Sequence, residues 1–274
     1  MISQTPQVWL DHQTYPTPDG LLLNWDAVED LFPPGLLDDM FAAYEGLVRS
    51  LAGGDWDRPA SLPLPAAQAA VRAAVNATAA PVDARQLHEA FFEHALAGPG
   101  RLALIAGDEV LSRRDLAERA LRIAGLLRGR GVRDGDVVGI ALPKGADQIA
   151  AVLGVVAAGA AYLPVAWDQP AARTRRICQR AGAGLVLTRA ERLECAGWPD
   201  GVTLVDMAEA AGVIPLPAPV RGDHQRSAYI IFTSGSTGEP KGVEVSHAAA
   251  WNTVVSVNDR LGAGTGDRIR RVGS

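Results

Sequence analysis

Short apolar runs alternate with segments of helical spacing over most of this chain. The runs are rich in Val, Ile and Leu and end at Gly, Pro or polar residues, which is typical of buried strands. We predict strands at residues 102–105, 109–111, 137–142, 162–165, 185–187, 202–205, 228–232 and 243–245. Continuous apolar strands that alternate with helices form mostly parallel sheets with both faces covered. The pattern therefore predicts an α/β fold with a mostly parallel sheet.

Helices are predicted between these strands. Ser112 is expected to cap a helix that ends near Gly131 and places Leu116, Ala120, Ile123 and Leu127 on one face. The other predicted helices cover residues 148–157, residues 173–181 and a segment that Ser246 caps and that runs through Trp251 and Val255.

The first fifty residues have a different pattern. A turn at residues 16–20 precedes a predicted strand at residues 21–25, and Pro33-Pro34 precedes an amphipathic helix that Gly53-Gly54 ends. Seven apolar residues recur at helical spacing, which predicts that this helix packs into a core: Leu37, Met40, Phe41, Tyr44, Leu47, Val48 and Leu51.

A region rich in Pro and Ala follows. Pro59, Pro63 and Pro65 predict a linker, and the alanine-rich stretch after them predicts a short helix. Residues 83–86 resemble a capping box that opens a helix with Leu87, Phe91 and His94 on one side. His88 and His94 have no Cys or carboxylate at metal-ligand spacing, so we predict no metal site there.

The most specific stretch lies between the last two predicted strands and reads Thr-Ser-Gly-Ser-Thr-Gly-Glu-Pro-Lys-Gly, residues 233–242. Its glycines can adopt positive φ and turn backbone N–H groups toward an anion, and the hydroxyls add donors. Lys241 is one of two lysines among 26 basic residues, and an ammonium is a compact charge for phosphate. The segment is not a Walker loop. A flexible hairpin loop is the alternative, but the full string favours phosphate binding.

This string resembles the phosphate-binding signature of the adenylate-forming, AMP-binding enzymes, which include acyl-CoA ligases, luciferases and the adenylation domains of nonribosomal peptide synthetases. Residues 155–165 resemble an early motif of the synthetase adenylation domains. Residues 111–116 lie where those domains carry their first motif, with Arg114 in place of the usual aromatic. The resemblance implies that the ATP phosphates contact Thr233, Ser234, Gly235, Ser236, Thr237, Gly238 and Lys241. For His247, which follows at the family's spacing, we favour packing at the helix start over substrate contact.

A second resemblance covers the N-terminal part. Residues 3–13, Ser-Gln-Thr-Pro-Gln-Val-Trp-Leu-Asp-His-Gln, resemble a late motif of heterocyclization domains, the condensation-domain variants that form thiazoline or oxazoline rings. Trp25-Asp26, residues 31–33, Met40-Phe41 and Tyr44 resemble the motif that closes such domains. In that family an Asp at this position assists cyclodehydration with a Thr from a preceding motif. The resemblance implies that Asp11 is a catalytic residue remaining from such a domain.

Together the resemblances predict three segments: residues 1–52 as the C-terminal end of a heterocyclization or condensation-like domain, residues 53–82 as a linker, and residues 83–274 as the truncated N-terminal part of an AMP-binding adenylation domain. The implied function is activation of an amino acid with ATP and Mg²⁺ as aminoacyl-AMP. The product would be loaded onto the 4′-phosphopantetheine of a peptidyl carrier protein domain, within a larger synthetase. Cys, Ser or Thr is the implied amino acid, and a siderophore is a plausible product.

Other interpretations stay open. The chain is expected to be inactive alone as a piece of a synthetase, and a truncated sheet would make it poorly soluble. It could instead be a non-catalytic remnant or docking fragment. An acyl-CoA ligase-type enzyme fits the glycine-rich string but not residues 1–50.

Composition narrows the partners. A net charge of −5 and a pI near 5.6 argue against nucleic acid or an acidic membrane as a partner. Cys178 and Cys195 are the only cysteines, so neither a disulfide framework nor a metal cluster is predicted. No apolar run is long enough to span a bilayer, and we expect a cytoplasmic location.

Overall fold

The computed structural model describes residues 8–54, 56, 59, 64–81, 83–195, 197–233, 240–264 and 266–269. The chain divides into two compact units, Met1–Ala80 and Pro81–Ser274, and each is described by itself below. The three segments predicted from the sequence stay a prediction. Within the described ranges, we find no helix whose length and apolar character would let it cross a lipid bilayer.

The first unit contains one hairpin and two helices. Its elements are β1 (Leu10–Thr17), β2 (Gly20–Ala27), a short 3-10 turn (Glu29–Leu31), α1 (Leu36–Gly53) and α2 (Ala66–Asn76). The predicted strand at residues 21–25 and both predicted helices are confirmed. Strand β1 was not predicted, because its sequence is polar and does not alternate. It forms by pairing with β2 along its whole length, from Leu10 opposite Ala27 to Thr17 opposite Gly20.

The prediction that α1 is a core helix is wrong. None of its side chains, all of which the structure describes, is buried. The Trp25 ring on β2 stacks on Tyr44 of α1 with centroids 5.6 Å apart and meets Phe41 edge to face at 5.3 Å. A two-stranded hairpin has too little area to enclose a helix, so these side chains stay partly exposed.

The second unit is an α/β layer structure. Its helices and strands, in chain order, are α3 (Glu89–Ala97), β3 (Leu102–Ala106), β4 (Glu109–Ser112), α4 (Arg113–Gly129), β5 (Val137–Ile140), α5 (Ala146–Ala157), β6 (Ala161–Pro164), α6 (Ala171–Ala181), β7 (Leu185–Thr188), α7 (Ala190–Leu193), β8 (Thr203–Asp206), a 3-10 helix (Met207–Gly212), β9 (Ser227–Thr233), β10 (Lys241–Ser246) and α8 (His247–Leu261).

The central sheet has six strands in the order β10-β9-β6-β5-β7-β8. Strands β9, β6, β5, β7 and β8 pair in parallel, whereas β10 pairs antiparallel to β9. Strands β3 and β4 form a separate hairpin. This arrangement confirms the predicted α/β fold with a mostly parallel sheet.

Helices cover both faces of this sheet. On one face α4 and α5 share a core with Val138 and Ile140 of β5, and on the other face Ile177 and Cys178 of α6 pack near Val186. The alternation along β5 and β7 sends successive side chains to opposite faces. Both faces are therefore apolar, which explains why these strands read as continuous apolar runs.

Ser112 begins α4 as predicted. Its hydroxyl accepts a hydrogen bond from the Asp115 N–H at 3.2 Å, and the Asp115 carboxylate accepts from the Ser112 N–H at 3.0 Å. These reciprocal bonds satisfy two N–H groups at the helix start. The hydrogen bonds from Ser112 also hold the pKa of the Asp115 carboxyl below its usual value.

The capping box predicted at residues 83–86 is wrong. Helix α3 begins at Glu89, and Gln86 is buried before it. The Gln86 Oε1 accepts a hydrogen bond from the Gly222 N–H at 3.0 Å. A buried side-chain amide requires hydrogen-bond partners, and this bond to the loop at Gly222 takes the Gln86 side chain out of any local cap.

Candidate functional site

The glycine-rich string lies at the open end of the β9–β10 hairpin. Thr233, the last residue of β9, lies directly opposite Lys241, the first residue of β10, and both side chains are exposed. The structure therefore brings the first and last predicted phosphate-site residues together. The remaining predicted site residues lie outside the described residues: Ser234, Gly235, Ser236, Thr237 and Gly238.

This end of the hairpin lies at the edge of the sheet where ligands bind in α/β folds. Strand β9 runs parallel to β6, so Thr233 is at the same edge as the carboxyl ends of the other parallel strands. Open α/β sheets bind their ligands outside the carboxyl ends of the strands. A Lys ammonium and a Thr hydroxyl carried on the same face at this edge can bind a phosphate group through charge and hydrogen bonds.

One face of the hairpin is attached to the core. Ile230 and Phe232 pack against the apolar cluster that includes α6, while Ile231 is 43% exposed and Val243 is 50% exposed on the other face. Gly242 lies opposite Phe232, and a Cβ at this position would lie 3.0 Å from the ring Cζ. A glycine next to Lys241 therefore lets the strand approach the Phe232 ring closely.

The N-terminus of α8 is already satisfied by the chain itself. The predicted cap is confirmed, because Ser246 Oγ accepts a hydrogen bond from the Ala249 N–H at 3.2 Å. The His247 N–H donates to the Arg226 carbonyl at 3.0 Å, and the Ala248 N–H donates to the His224 carbonyl at 2.8 Å. These N–H groups are not available to an anion, so a phosphate at this site would depend on the hairpin end and not on the helix N-terminus.

His247 is a buried residue at the start of α8. Its side chain is 2% exposed, and its Nδ1 accepts a hydrogen bond from the Leu87 N–H at 3.3 Å. Because Nδ1 accepts, the proton of the neutral ring is on Nε2. Burial lowers the pKa of His247 to about 4, so the ring is neutral at pH 7. These contacts confirm the predicted packing role.

His88, the residue before α3, is a second buried histidine. It is 1% exposed, and its ring meets the His247 ring edge to face with centroids 5.7 Å apart. Neither ring nitrogen has a hydrogen-bond partner among the described residues. Burial, and then the neighbouring His247, lower the pKa of His88 to about 4. The sequence around His88 does not indicate that it is buried, because His247, whose ring it contacts, is distant in the sequence.

Asp11 lies in the first unit, on β1. Its Oδ2 accepts a hydrogen bond from Gln13 Nε2 at 2.8 Å, and Gln13 Oε1 accepts from the Tyr15 hydroxyl at 2.5 Å. Alternate residues of a strand share one face, so these three form a polar row. His12 is on the opposite face, where its Nε2 is hydrogen-bonded to the Tyr44 hydroxyl at 2.8 Å. The two polar neighbours Asp11 and His12 therefore belong to separate groups.

The described residues contain no group of three or more His, Cys, Asp or Glu side chains that could hold a metal ion. Cys178 is buried in the core, and burial raises the pKa of its thiol to about 11, so this thiol stays protonated at neutral pH.

This chain is similar in sequence to a known enzyme family and to two named synthetases. Residues 91–270 match the family model of AMP-binding enzymes. The chain is 50% identical over 272 residues to the pyochelin synthetase PchE of Pseudomonas aeruginosa, a match that covers 99% of this chain and 19% of PchE. It is 44% identical over 270 residues to the phenyloxazoline synthase MbtB of Mycolicibacterium paratuberculosis, covering 98% of this chain and 23% of MbtB.

A solved structure is also similar. The nonribosomal peptide synthetase FmoA3, crystallised with AMPPNP, superposes with a TM-score of 0.72 at 36% identity over 97% of this chain and 29% of FmoA3. The chain spans about a fifth of the length of the curated relatives named above, at 19% and 23%.

Proposed function

Since the chain belongs to the family of AMP-binding enzymes, we propose that the open end of the β9–β10 hairpin binds the phosphate groups of ATP. The observation that carries this proposal is the pairing of Thr233 with Lys241 at the carboxyl edge of the sheet. The AMPPNP complex of FmoA3 supports the choice of a nucleotide. Ser234, Gly235, Ser236, Thr237 and Gly238 complete the proposed contacts.

The proposed reaction is the activation of an amino acid as aminoacyl-AMP. A carboxylate oxygen of the amino acid attacks the α-phosphorus, a P–O bond to the β-phosphate breaks, and pyrophosphate leaves. Lys241 would neutralise charge that develops on the leaving pyrophosphate, and the Thr233 hydroxyl would donate to a phosphate oxygen. Mg²⁺ bound together with the nucleotide would supply further charge neutralisation.

We place this step in a nonribosomal peptide synthetase, because relatives that match nearly the whole chain are a pyochelin synthetase and a phenyloxazoline synthase. The proposed partners are the remainder of the synthetase and a peptidyl carrier protein domain whose 4′-phosphopantetheine receives the amino acid. Cys, Ser or Thr is the proposed amino acid, a siderophore the proposed type of product, and the cytoplasm the proposed location. We propose that the 274-residue chain does not complete the reaction alone.

Nucleotide titration of the purified chain tests the phosphate site. AMPPNP with Mg²⁺ is titrated by calorimetry into the wild type, Lys241→Ala and the control Arg260→Ala, which removes an exposed positive charge at the far end of α8. We expect Lys241→Ala to weaken binding about tenfold or more, since a charge-assisted contact is lost. Equal affinity of all three chains would contradict the proposal. Amino-acid-dependent exchange of pyrophosphate into ATP by the wild type would show that the chain is active alone.

A second proposed function concerns the first unit. The polar row of Asp11, Gln13 and Tyr15 favours a heterocyclization role, because Gln13 holds the Asp11 carboxylate in one orientation. In the proposed cyclodehydration, a Cys, Ser or Thr side chain adds to a peptide carbonyl and the resulting hydroxyl leaves as water. Asp11 would accept and return a proton in these steps.

The name of MbtB as a phenyloxazoline synthase supports this function. Mass spectrometry of the carrier-bound product measures the loss of water in a synthetase that contains this chain. Asp11→Asn should accumulate the uncyclised product, whereas Asp19→Asn, in the turn after β1, should not. Normal ring formation by Asp11→Asn would contradict the role of Asp11.

A further inference from the structure

Three contacts join the segment before α3 to helix α8. The Leu87 N–H donates to His247 Nδ1 at 3.3 Å. The His88 ring meets the His247 ring edge to face. The Arg85 guanidinium lies over the Trp251 ring, 5.4 Å from its centroid. A hydrogen bond, a ring contact and a cation–π contact thus connect two parts of the chain that are distant in sequence.

The 85–88 segment is itself fixed on its other sides. Arg85 forms ion pairs with Glu89 and Glu93 of α3, the first at 3.6 Å. Gln86 is hydrogen-bonded to the Gly222 N–H at 3.0 Å. The segment therefore offers α8 a support that is attached to α3 and to the loop before β9.

Besides the packing of Ile230 and Phe232 on the core, strand pairing attaches the β9–β10 hairpin to the rest of the sheet over a short stretch. In the described part of the chain, β9 pairs with β6 in register at one position, Tyr229 opposite Tyr162, and β10 pairs with β9 alone. Helix α8 follows β10 without a break, since Ser246 ends the strand and His247 begins the helix. The hydrogen bond of His247 therefore lies at the base of the hairpin, and Lys241 lies at its open end.

We propose that His247 is a positioning residue for the hairpin: by accepting the Leu87 N–H, it fixes the base of β10 and with it the location of Lys241. This inference rests on the proposed function, because it connects His247 with nucleotide binding. His247 acts from a buried position and contacts no phosphate.

The hydrogen bond that His247 Nδ1 accepts can be tested separately from the packing of the His247 ring. Asn places its Oδ1 at the same number of bonds from Cβ as His places Nδ1, so His247→Asn keeps an acceptor for the Leu87 N–H. His247→Leu removes the acceptor and leaves that N–H without this partner. His94→Leu is the matched control, because His94 is an exposed histidine of α3.

Amide hydrogen exchange and AMPPNP affinity are measured on the full chain for all four proteins. For His247→Leu we expect the amides of β9 and β10 to exchange about five- to tenfold faster, the factor that corresponds to one ordinary hydrogen bond, while β5 and β7 change less. AMPPNP binding should weaken by a similar factor. His247→Asn should return both quantities to near the wild-type values, and His94→Leu should leave them unchanged.

The inference is overturned if exchange rises equally in β5, β7 and the hairpin, or if folded His247→Asn is as impaired as His247→Leu. If the wild type does not bind AMPPNP, the proposed function fails, and the exchange comparison still decides the positioning role. If His247→Leu does not fold, Arg85→Gln replaces it, since this change leaves the buried histidines in place and removes the contact with Trp251 and partly exposed ion pairs. It should again raise exchange selectively in the hairpin, and unchanged exchange there would count against the inference.

Discussion

Thr233 and Lys241 face each other across the antiparallel ladder of β9 and β10, although eight positions separate them in the sequence, 233 and 241. The pairing places a Thr and a Lys on the same face of the hairpin, at the carboxyl edge of a mostly parallel sheet. That edge is where α/β folds bind ligands. The location of the proposed phosphate site therefore follows from the register of one strand pair.

The packing of α4 against α5 gives a prediction about stability. A Cβ on Gly154 of α5 would lie 2.7 Å from the Ile123 Cβ and 2.9 Å from the Ala120 carbonyl oxygen. We expect Gly154→Ala to lower the free energy of unfolding by about 1–3 kcal/mol, because the helices must move apart. Urea denaturation measures this change.

A control for this substitution lies at the end of α4. A Cβ on Gly129 would meet no atom within 4 Å, so Gly129→Ala should be neutral or stabilise by up to about 1 kcal/mol through helix propensity. A Gly154→Ala protein as stable as Gly129→Ala would show that the two helices do not pack as closely as described.

The start of α4 gives a second prediction. Ser112→Ala removes the hydroxyl that accepts the Asp115 N–H, and we expect the free energy of unfolding to fall by about 1 kcal/mol. Ser112→Thr keeps a hydroxyl and should lose less. The same denaturation experiment measures both variants, and equal losses for Ala and Thr would argue against the capping bond.

The buried histidines give a third prediction, about pH. Burial lowers the pKa of His88 and His247 to about 4, from an ordinary value near 6.5. Well above pH 6.5 the rings are neutral in the folded and the unfolded chain, and they add no pH dependence. Between pH 6.5 and 4 the unfolded chain binds protons that the folded chain does not. The free energy of unfolding therefore falls as the pH falls, by about a few kcal/mol in total.

The histidine variants separate this effect from any contribution of other titrating groups. His88→Phe keeps an aromatic ring beside Phe92 and removes one titrating group. Its stability should fall less between pH 6.5 and 4 than that of the wild type or of His94→Phe, measured by thermal unfolding. If stability falls equally with pH in all three proteins, His88 is protonated without cost in the folded state.

Local signals explain which parts of the fold the sequence predicts. The strands of the parallel sheet have continuous apolar runs because both faces are buried, and the caps at Ser112 and Ser246 use partners three residues away. Contacts between distant residues were not predicted. Gln86 binds a backbone N–H 136 positions later in the sequence, and the Leu87 N–H binds His247, 160 positions later.

In the candidate site, too, the local sequence indicates some features, and others depend on contacts between distant residues. Residues of the phosphate string are consecutive, so their residue types alone indicate an anion site, and the hairpin register adds their location. The support from His88 and His247 depends on tertiary packing, and an isolated histidine in a helical pattern carries no sign of it. Strand β1 likewise forms through pairing with β2 and not through an apolar pattern of its own.

The most direct test of the phosphate site follows the backbone amides of Thr233 and Lys241 by NMR while AMPPNP with Mg²⁺ is added to the chain. Adenosine, which has the base and ribose but no phosphate, is the control ligand. Phosphate binding at this site predicts saturable shifts of both amides with AMPPNP and much smaller shifts with adenosine. Equal shifts with the two ligands, or saturable AMPPNP binding that leaves Thr233 and Lys241 unchanged, would contradict it.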